Sequence, residues 1–364
     1  MKPTDPRFGP GPSLIPVDHL QKLAATGMSY MGTSHRRDAV KKVVKEIQEG
    51  LRHYFQLPKG YEVVLGNGGA TQFWDMMALG LVEKKSLHFT CGEFSEKCYK
   101  AFKIVPWTEA KEVKVSYGDG VEVKEEAGFD VICSSLNETS TGVQMLSSVK
   151  LQDANTLWCV DATSGAAQLP ADFKAIDVFY FSPQKVLASD GGLYVAIMSP
   201  KAIERALKIA ADKSRYIPES MKLSLAIENS RGHQTYNTPA LATLFLLNEQ
   251  VKHLNQLGFK TVYAEAQSKA KMIYDWAEQK PYLSAFVKEA KYRSECVATI
   301  DIDSKYSADE LSKRLRELGV AVDIEGYRKL GRNQLRIALF HNIKYDDLVK
   351  LTQAISFAIE NTSI

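Results

Sequence analysis

The sequence predicts an α/β fold: a large domain on a mostly parallel sheet with flanking helices, then a smaller α+β domain. Three observations predict it. The short continuous apolar runs FDVICSS (129–135), TLWCVDA (156–162), VFYFS (178–182) and GLYVAIM (192–198) suit strands covered on both faces. Strand-like and helix-like segments alternate over roughly 150 residues, as a doubly wound domain requires. From about residue 250 the pattern becomes that of a compact β-α-β-β-α unit of fewer than about 120 residues. The expected boundaries are 16–250 for the large domain and 251–364, joined by the N-terminal segment 1–15, for the small one. The cleft between them is the expected site.

Each element has its own signal. Prolines and glycines keep the first ~20 residues extended. Val40, Val43, Val44, Ile47, Leu51 and Tyr54 recur at helical spacing and predict an amphipathic helix over 37–55. YEVVL (61–65) reads as a strand, GNGG (66–69) as a turn and ATQFWDMMALGLV (70–82) as a helix. SLHFT (86–90) is a strand, 93–104 a helix, and the four apolar runs follow. A long helical stretch at about 239–280 leads to the strand ECVATIDI (295–302). SADELSKRLRELG (307–319) begins with a capping box, Ser307 and Glu310, and its helix ends at Gly319. VAVDI (320–324) and QLRIALF (334–340) read as strands, and a final helix covers about 345–360.

Composition narrows the function. The 364 residues carry 46 Lys and Arg against 43 Asp and Glu, a net +3 that gives no electrostatic reason for a nucleic-acid or membrane partner. No apolar run approaches the ~20 residues of a membrane span, and the polar N-terminus lacks the apolar core of a signal peptide, so a cytoplasmic protein is expected. The five cysteines, Cys91, Cys98, Cys133, Cys159 and Cys296, lack metal-ligand spacing and read as buried free thiols, with no metal site expected.

One lysine stands out. In FSPQKVLASDGGL (181–193), Lys185 lies between two apolar runs, where an ammonium is costly unless it is paired or used chemically. VLGNGGATQFWD (64–75) joins a strand to a helix start through glycines; it offers either an anion cradle at the helix N-terminus or an ordinary tight turn. Asp161 ends one apolar run, and Thr139 follows another. In a parallel sheet, three strand ends then deliver Thr139, Asp161 and Lys185 to the edge that holds the glycine-rich helix start. That combination fits pyridoxal phosphate. The cofactor needs a lysine for its Schiff base, a carboxylate for its ring nitrogen and a cradle for its phosphate. Phe94, at the next strand-to-helix junction, is placed to stack on the ring.

The chain also resembles the phosphoserine aminotransferase family, class V aminotransferases of fold type I. The resemblance runs nearly end to end through FGPGPS, GTSHR (32–36), NGGATQFWD, GEFS, NETSTG, VDATSG, PQK, GHQTYNTP (232–239) and GYRKLGRNQLR (326–336). It implies an aspartate-aminotransferase-like fold with a seven-stranded sheet, pyridoxal phosphate as cofactor and a homodimer with shared sites. By the same resemblance, Lys185 forms the Schiff base, Asp161 pairs with the ring nitrogen, Thr139 binds the ring hydroxyl and Phe94 takes the place of a stacking tryptophan. Gly69, Ala70, Thr71 and Gln184 hold the cofactor phosphate, which Asn237 and Thr238 reach from the other subunit. Arg336 takes the substrate carboxylate; His35 and Arg36 of the other subunit, with Arg328, take the substrate phosphate. The implied reaction moves the amino group of L-glutamate to 3-phosphohydroxypyruvate, with the phosphorylated keto acid of pyridoxine synthesis as a second candidate. Two residues depart from the family pattern: Tyr327 stands where many members have histidine, and Ala70 where many have arginine. Arg332 and Arg37 are the candidates for the missing cation. The competing readings are another class V enzyme, a nucleotide-dependent oxidoreductase and a catalytically silent binding module.

Overall fold

The apolar runs lie side by side in one sheet because each presents alternate residues to two separate cores. The computed structural model describes residues 2–145 and 149–361, so 1 and 364, the outer limits of the expected small domain, lie outside the described residues. Helices α1 (Val17–Ala25) and α2 (Asp38–Tyr54) come first. They are followed by β1 (Glu62–Gly68), α3 (Ala70–Gly80), β2 (Lys85–Thr90), α4 (Glu93–Lys103), β3 (Glu109–Lys114) and β4 (Val131–Ser135). A small hairpin, β5 (Asn137–Glu138) and β6 (Val143–Gln144), precedes β7 (Leu157–Asp161), β8 (Val178–Phe181) and β9 (Gly192–Met198). These strands, the hairpin apart, form a seven-stranded sheet in the order β1-β9-β8-β7-β4-β2-β3. Only β9 runs against its neighbours. Val63, Leu65, Trp158, Val160, Phe179 and Phe181 enter a core shared with α2. Val64, Leu157, Cys159, Val178 and Tyr180 enter the core on the other face, with α3 and α4. This two-sided burial is why the runs are continuously apolar.

The chain continues through α5 (Pro200–Ala210), α6 (Leu223–Arg231), α7 (Leu241–Leu257) and α8 (Phe259–Glu278). Next come β10 (Leu283–Ala285), β11 (Val297–Ile302), α9 (Ala308–Glu317), β12 (Gln334–Ala338) and α10 (Tyr345–Asn361). Strands β10, β11 and β12 make a separate antiparallel sheet. The N-terminal segment runs beside it: Thr4 N donates to Asp347 Oδ1 at 2.7 Å, and Phe8 O accepts from Ala338 N at 2.8 Å. It then crosses to the large sheet, where Ser13 N donates to Gln184 O at 2.8 Å.

Several expectations need correction. The GNGG turn is shorter than its sequence suggests, because β1 continues through Gly68 in register with Gly192 of β9. The stretch 239–280 is two helices, broken at Gly258, whose φ of 78° no helix accommodates. VAVDI forms no strand; Val322 makes an isolated bridge to Arg7, and Asp323 has a left-handed φ of 59°. Helix α1 starts at Val17, inside the segment expected to be extended. No strand is predicted at EAKEVK (109–114), yet β3 forms there at the sheet edge, where charged side chains are suited to solvent. Helices α5 and α6 occupy a region to which the sequence reading assigns nothing; Ser199 Oγ caps α5, accepting from Ala202 N at 3.1 Å. All five cysteines are free and buried, as expected. No described helix is long and apolar enough to cross a membrane.

The serine half of the expected capping box of α9 is in place: Ser307 Oγ accepts from Glu310 N at 3.2 Å. Ser307→Ala should therefore lower stability by about 1 kcal/mol in urea denaturation. An unchanged urea midpoint would contradict the capping role.

Candidate active site

One edge of the large sheet collects the predicted chemistry. Asp161 is the last residue of β7, Lys185 lies four residues beyond β8, and Thr139 directly follows β5. Gly69 and the first turn of α3 follow β1 at the same edge. Together they line a cavity of about 750 Å³. Of the predicted site residues, Gly69, Ala70, Thr71, Phe94, Thr139, Asp161, Gln184, Lys185 and Arg336 line it. Gly191 and Gly192 line it too, so the SDGG stretch is part of the wall as well as a turn into β9.

Lys185 is 7% exposed, and its Nζ donates to Thr139 Oγ1 at 2.8 Å. Thr139 Oγ1 in turn donates to Ser164 Oγ at 2.9 Å, and Ser164 Oγ donates to Asn137 O at 3.1 Å. This relay fixes the Thr139 hydroxyl with a lone pair toward the amine. Burial, reinforced by the Arg336 charge, pushes the Lys185 amine from its ordinary 10.5 down to about 8; Asp161 and Glu138 act in the opposite direction. Asp161 is held at both oxygens: Trp74 Nε1 donates to Oδ2 at 3.1 Å and Thr163 N to Oδ1 at 2.9 Å. The Lys185 Nζ lies 5.5 Å from the centre of the Phe94 ring. Phe94 packs on Tyr327, with ring centres 5.7 Å apart, and the Arg336 guanidinium sits 5.3 Å from the Tyr327 ring. Arg336 Nη1 donates to Thr139 O at 3.2 Å. Burial lowers the Arg336 pKa to about 10, which leaves it cationic at neutral pH.

The other predicted residues lie elsewhere. Arg328 is exposed and lines a neighbouring cavity of about 1150 Å³, which also holds Arg316, Lys329 and Arg332 and shares Tyr327 and Arg336 with the first. His35, Arg36, Asn237 and Thr238 line neither cavity. His35 Nδ1 is 3.2 Å from Thr238 Oγ1, and Asn237 Oδ1 accepts from Asn67 Nδ2 at 2.9 Å. Arg332 is not a free replacement cation: it pairs with Asp301 at 2.6 Å and lies 4.4 Å over the Phe286 ring. Arg37 occupies the N-cap position of α2 without a side-chain capping bond and lines neither cavity.

The sequence reading missed Trp74, Asn137, Glu138 and Ser164. All four sit inside quoted motifs, but only the folded chain places them against Asp161, Thr139 and the start of α4. A further cluster lies behind Asp161, where ligand atoms of His88, Cys98 and Cys133 come within 4.8 Å of one another. Burial drives the His88 imidazole down to about 3 and the Cys133 thiol up, and His88 Nε2 is 2.9 Å from Ser86 Oγ. These are the neutral forms of a packed core.

The cavity fits a polar, anionic cofactor. Asn137 Oδ1, Thr163 Oγ1, Gln184 Oε1 and Arg336 Nε are buried without a hydrogen-bond partner, and all four residues line it. Buried polar atoms rarely remain unpaired, so the lining is complementary to a ligand rather than to itself. The N-terminus of α3 adds free amides and a positive end.

The depressed Lys185 pKa can be read directly. In cofactor-free protein, acylation of Lys185 followed by mass spectrometry across pH should show a midpoint near 8, because the reactive neutral amine accumulates above that pH. A midpoint near 10.5 would contradict the burial argument.

Residues 8–351 match the family model Aminotransferase class-V. A phosphoserine aminotransferase of Corynebacterium glutamicum (strain R) is 47% identical over 360 residues, covering 98% of this chain and 95% of that protein. The crystal structure of a phosphoserine aminotransferase from Cytophaga hutchinsonii superposes with a TM-score of 0.88 at 28% identity, over 97% of this chain and 98% of that one. An alanine–glyoxylate aminotransferase from Nostoc shares the fold, with a TM-score of 0.79 at 20% identity, over 98% of this chain and 96% of that one. The strand-edge lysine, its carboxylate and threonine partners and this end-to-end similarity lead to one conclusion: the chain belongs to the class V aminotransferase family.

Proposed function

We propose that the enzyme transfers the amino group of L-glutamate to 3-phosphohydroxypyruvate, giving O-phosphoserine and 2-oxoglutarate. The cofactor is pyridoxal phosphate. The observation that carries the reading is a buried lysine, its amine pushed down to about 8 by burial, facing one cavity with Asp161 and Arg336. When bound, the cofactor supplies an electron-withdrawing ring that takes up the charge left at the substrate Cα. Lys185 would hold its aldehyde and, once released, would move the Cα proton as a neutral amine. Asp161, its carboxylate fixed by Trp74 and Thr163, would pair with the ring nitrogen and favour its protonated form. Thr139 would bind the ring hydroxyl, Phe94 would stack on the ring, and Gly69, Ala70, Thr71 and Gln184 would receive the cofactor phosphate.

Arg336 takes the substrate carboxylate. Arg328 lines the adjoining cavity, where Arg316 is paired with Glu325 and Lys329 with Glu93; its guanidinium suits a doubly charged phosphate, which favours a phosphorylated keto acid over pyruvate or glyoxylate. The longer phosphorylated keto acid of pyridoxine synthesis is the second substrate in that class. His35, Arg36, Asn237 and Thr238 act across a homodimer, each completing the partner's site. Exposed Val17, Leu20, Met28, Met31 and Tyr236 support an interface around these residues. The division into 16–250 and 251–364 with 1–15 completes this reading, the site lying between the two parts.

A coupled assay with glutamate as donor tests the substrate. Turnover with 3-phosphohydroxypyruvate should far exceed that with pyruvate or glyoxylate; comparable rates would favour an alanine–glyoxylate type of activity. Arg328→Ala should raise KM for the phosphorylated keto acid about 10- to 100-fold. Lys185→Ala should lower kcat by roughly 10²- to 10⁴-fold or more and remove the absorbance band of the lysine–cofactor Schiff base. Turnover retained in Lys185→Ala would remove the basis of the proposal.

A further inference from the structure

Glu138 is completely buried, and no described lysine, arginine or histidine forms a salt bridge with it. Its carboxylate is instead surrounded by neutral donors. Oε2 accepts from Ser95 N and Ser95 Oγ, each at 2.8 Å. Oε1 accepts from Ser140 Oγ at 2.7 Å, Ser140 N at 3.1 Å and, more loosely, Phe94 N at 3.4 Å. Ser140 Oγ in turn accepts from Glu93 N at 3.0 Å. The first three amides of α4 are therefore satisfied by a segment more than forty residues away in sequence, and the negative charge sits at the positive end of the helix.

The fit is close enough to dictate another residue. A Cβ on Gly92 would lie 2.4 Å from Glu138 Cγ and 2.6 Å from Ser140 Oγ, so the GEFS turn can approach the NETS turn only as glycine. Two groups that face the Lys185 amine leave this junction. Phe94 belongs to the capped turn, and Thr139 lies between Glu138 and Ser140.

We infer that Glu138 is a positioning residue for the cofactor site: by capping α4 from the Thr139 segment, it sets the Phe94 ring and the Thr139 hydroxyl in fixed relation to Lys185 and places a carboxylate beside them. The inference rests on the pyridoxal phosphate reading above. The charge also acts on the two cations of the site, favouring the protonated forms of Lys185 and Arg336 against burial.

Glu138→Gln keeps the shape, removes the charge and turns one acceptor into a donor facing donors. The variant should bind pyridoxal phosphate about 10- to 100-fold more weakly, measured by titrating cofactor-free protein. Its Lys185 acylation midpoint should fall below the native value, because the opposing charge is gone. Ser95→Ala, which removes one side-chain donor to Glu138 and the acceptor of Cys91 N while leaving the carboxylate charge, should weaken cofactor binding in the same direction by less, and it carries the test if Glu138→Gln does not fold. Native cofactor affinity and a native Lys185 midpoint in Glu138→Gln, with only a lowered Tm, would overturn the inference and leave a structural cap. A native protein that binds no pyridoxal phosphate would overturn the reading beneath it, and the inference with it.

Discussion

A buried amine at the end of a strand is the constraint on which the site depends. Lys185 is enclosed, its single hydrogen-bonding partner among the described residues is Thr139, and Arg336 adds a second positive charge nearby. Lowering its pKa from 10.5 to about 8 corresponds to about 3 kcal/mol against the folded cofactor-free protein. The sign follows from linkage: this cost is fully present below pH 8 and is relieved as pH rises to 10.5, where the unfolded chain also loses the proton. A ligand that binds the amine in an uncharged linkage relieves the same cost at neutral pH. The surrounding architecture serves this arrangement. Parallel strands end together, so Asp161, Thr139 and Lys185 meet at one edge, and reversed β9 brings Gly191 and Gly192 to the same wall.

Burial alone does not identify a reactive lysine. Lys269 on α8 is also enclosed, and burial likewise pushes its amine down to about 8. Its surroundings differ. Lys269 Nζ donates to Phe340 O at 3.2 Å and His341 O at 3.1 Å, and no cavity opens onto it among those lined by the described site residues. Those bonds tie α8 to the chain after β12. Lys185 instead faces unpartnered polar atoms, a fixed carboxylate and an aromatic ring. A lowered pKa acquires chemical meaning when the amine opens onto a space built for a ligand.

Much of this was legible in the sequence. Strands buried on both faces appear as continuous apolar runs, and their polar ends name Thr139, Asp161 and Lys185 in advance. The charged edge strand β3 was hidden, because an edge position lets solvent-facing lysine and glutamate replace the apolar pattern. VAVDI has strand composition, but the left-handed Asp323 interrupts it and Arg7 supplies only an isolated bridge partner. At the site, Trp74 and Ser164 were missed because they act on Asp161 and Thr139 through contacts 87 and 25 residues apart. Arg332 shows the opposite error. The motif marks it as a spare cation, and the fold commits it to Asp301 and Phe286.

The central claim is that Lys185, and not another buried lysine, holds the cofactor. Borohydride reduction of the cofactor-loaded protein, followed by digestion and peptide mass spectrometry, tests it directly. The account predicts a single pyridoxyl-modified peptide carrying the mark on Lys185. Modification at Lys269 or any other lysine, with Lys185 unmodified, would contradict it.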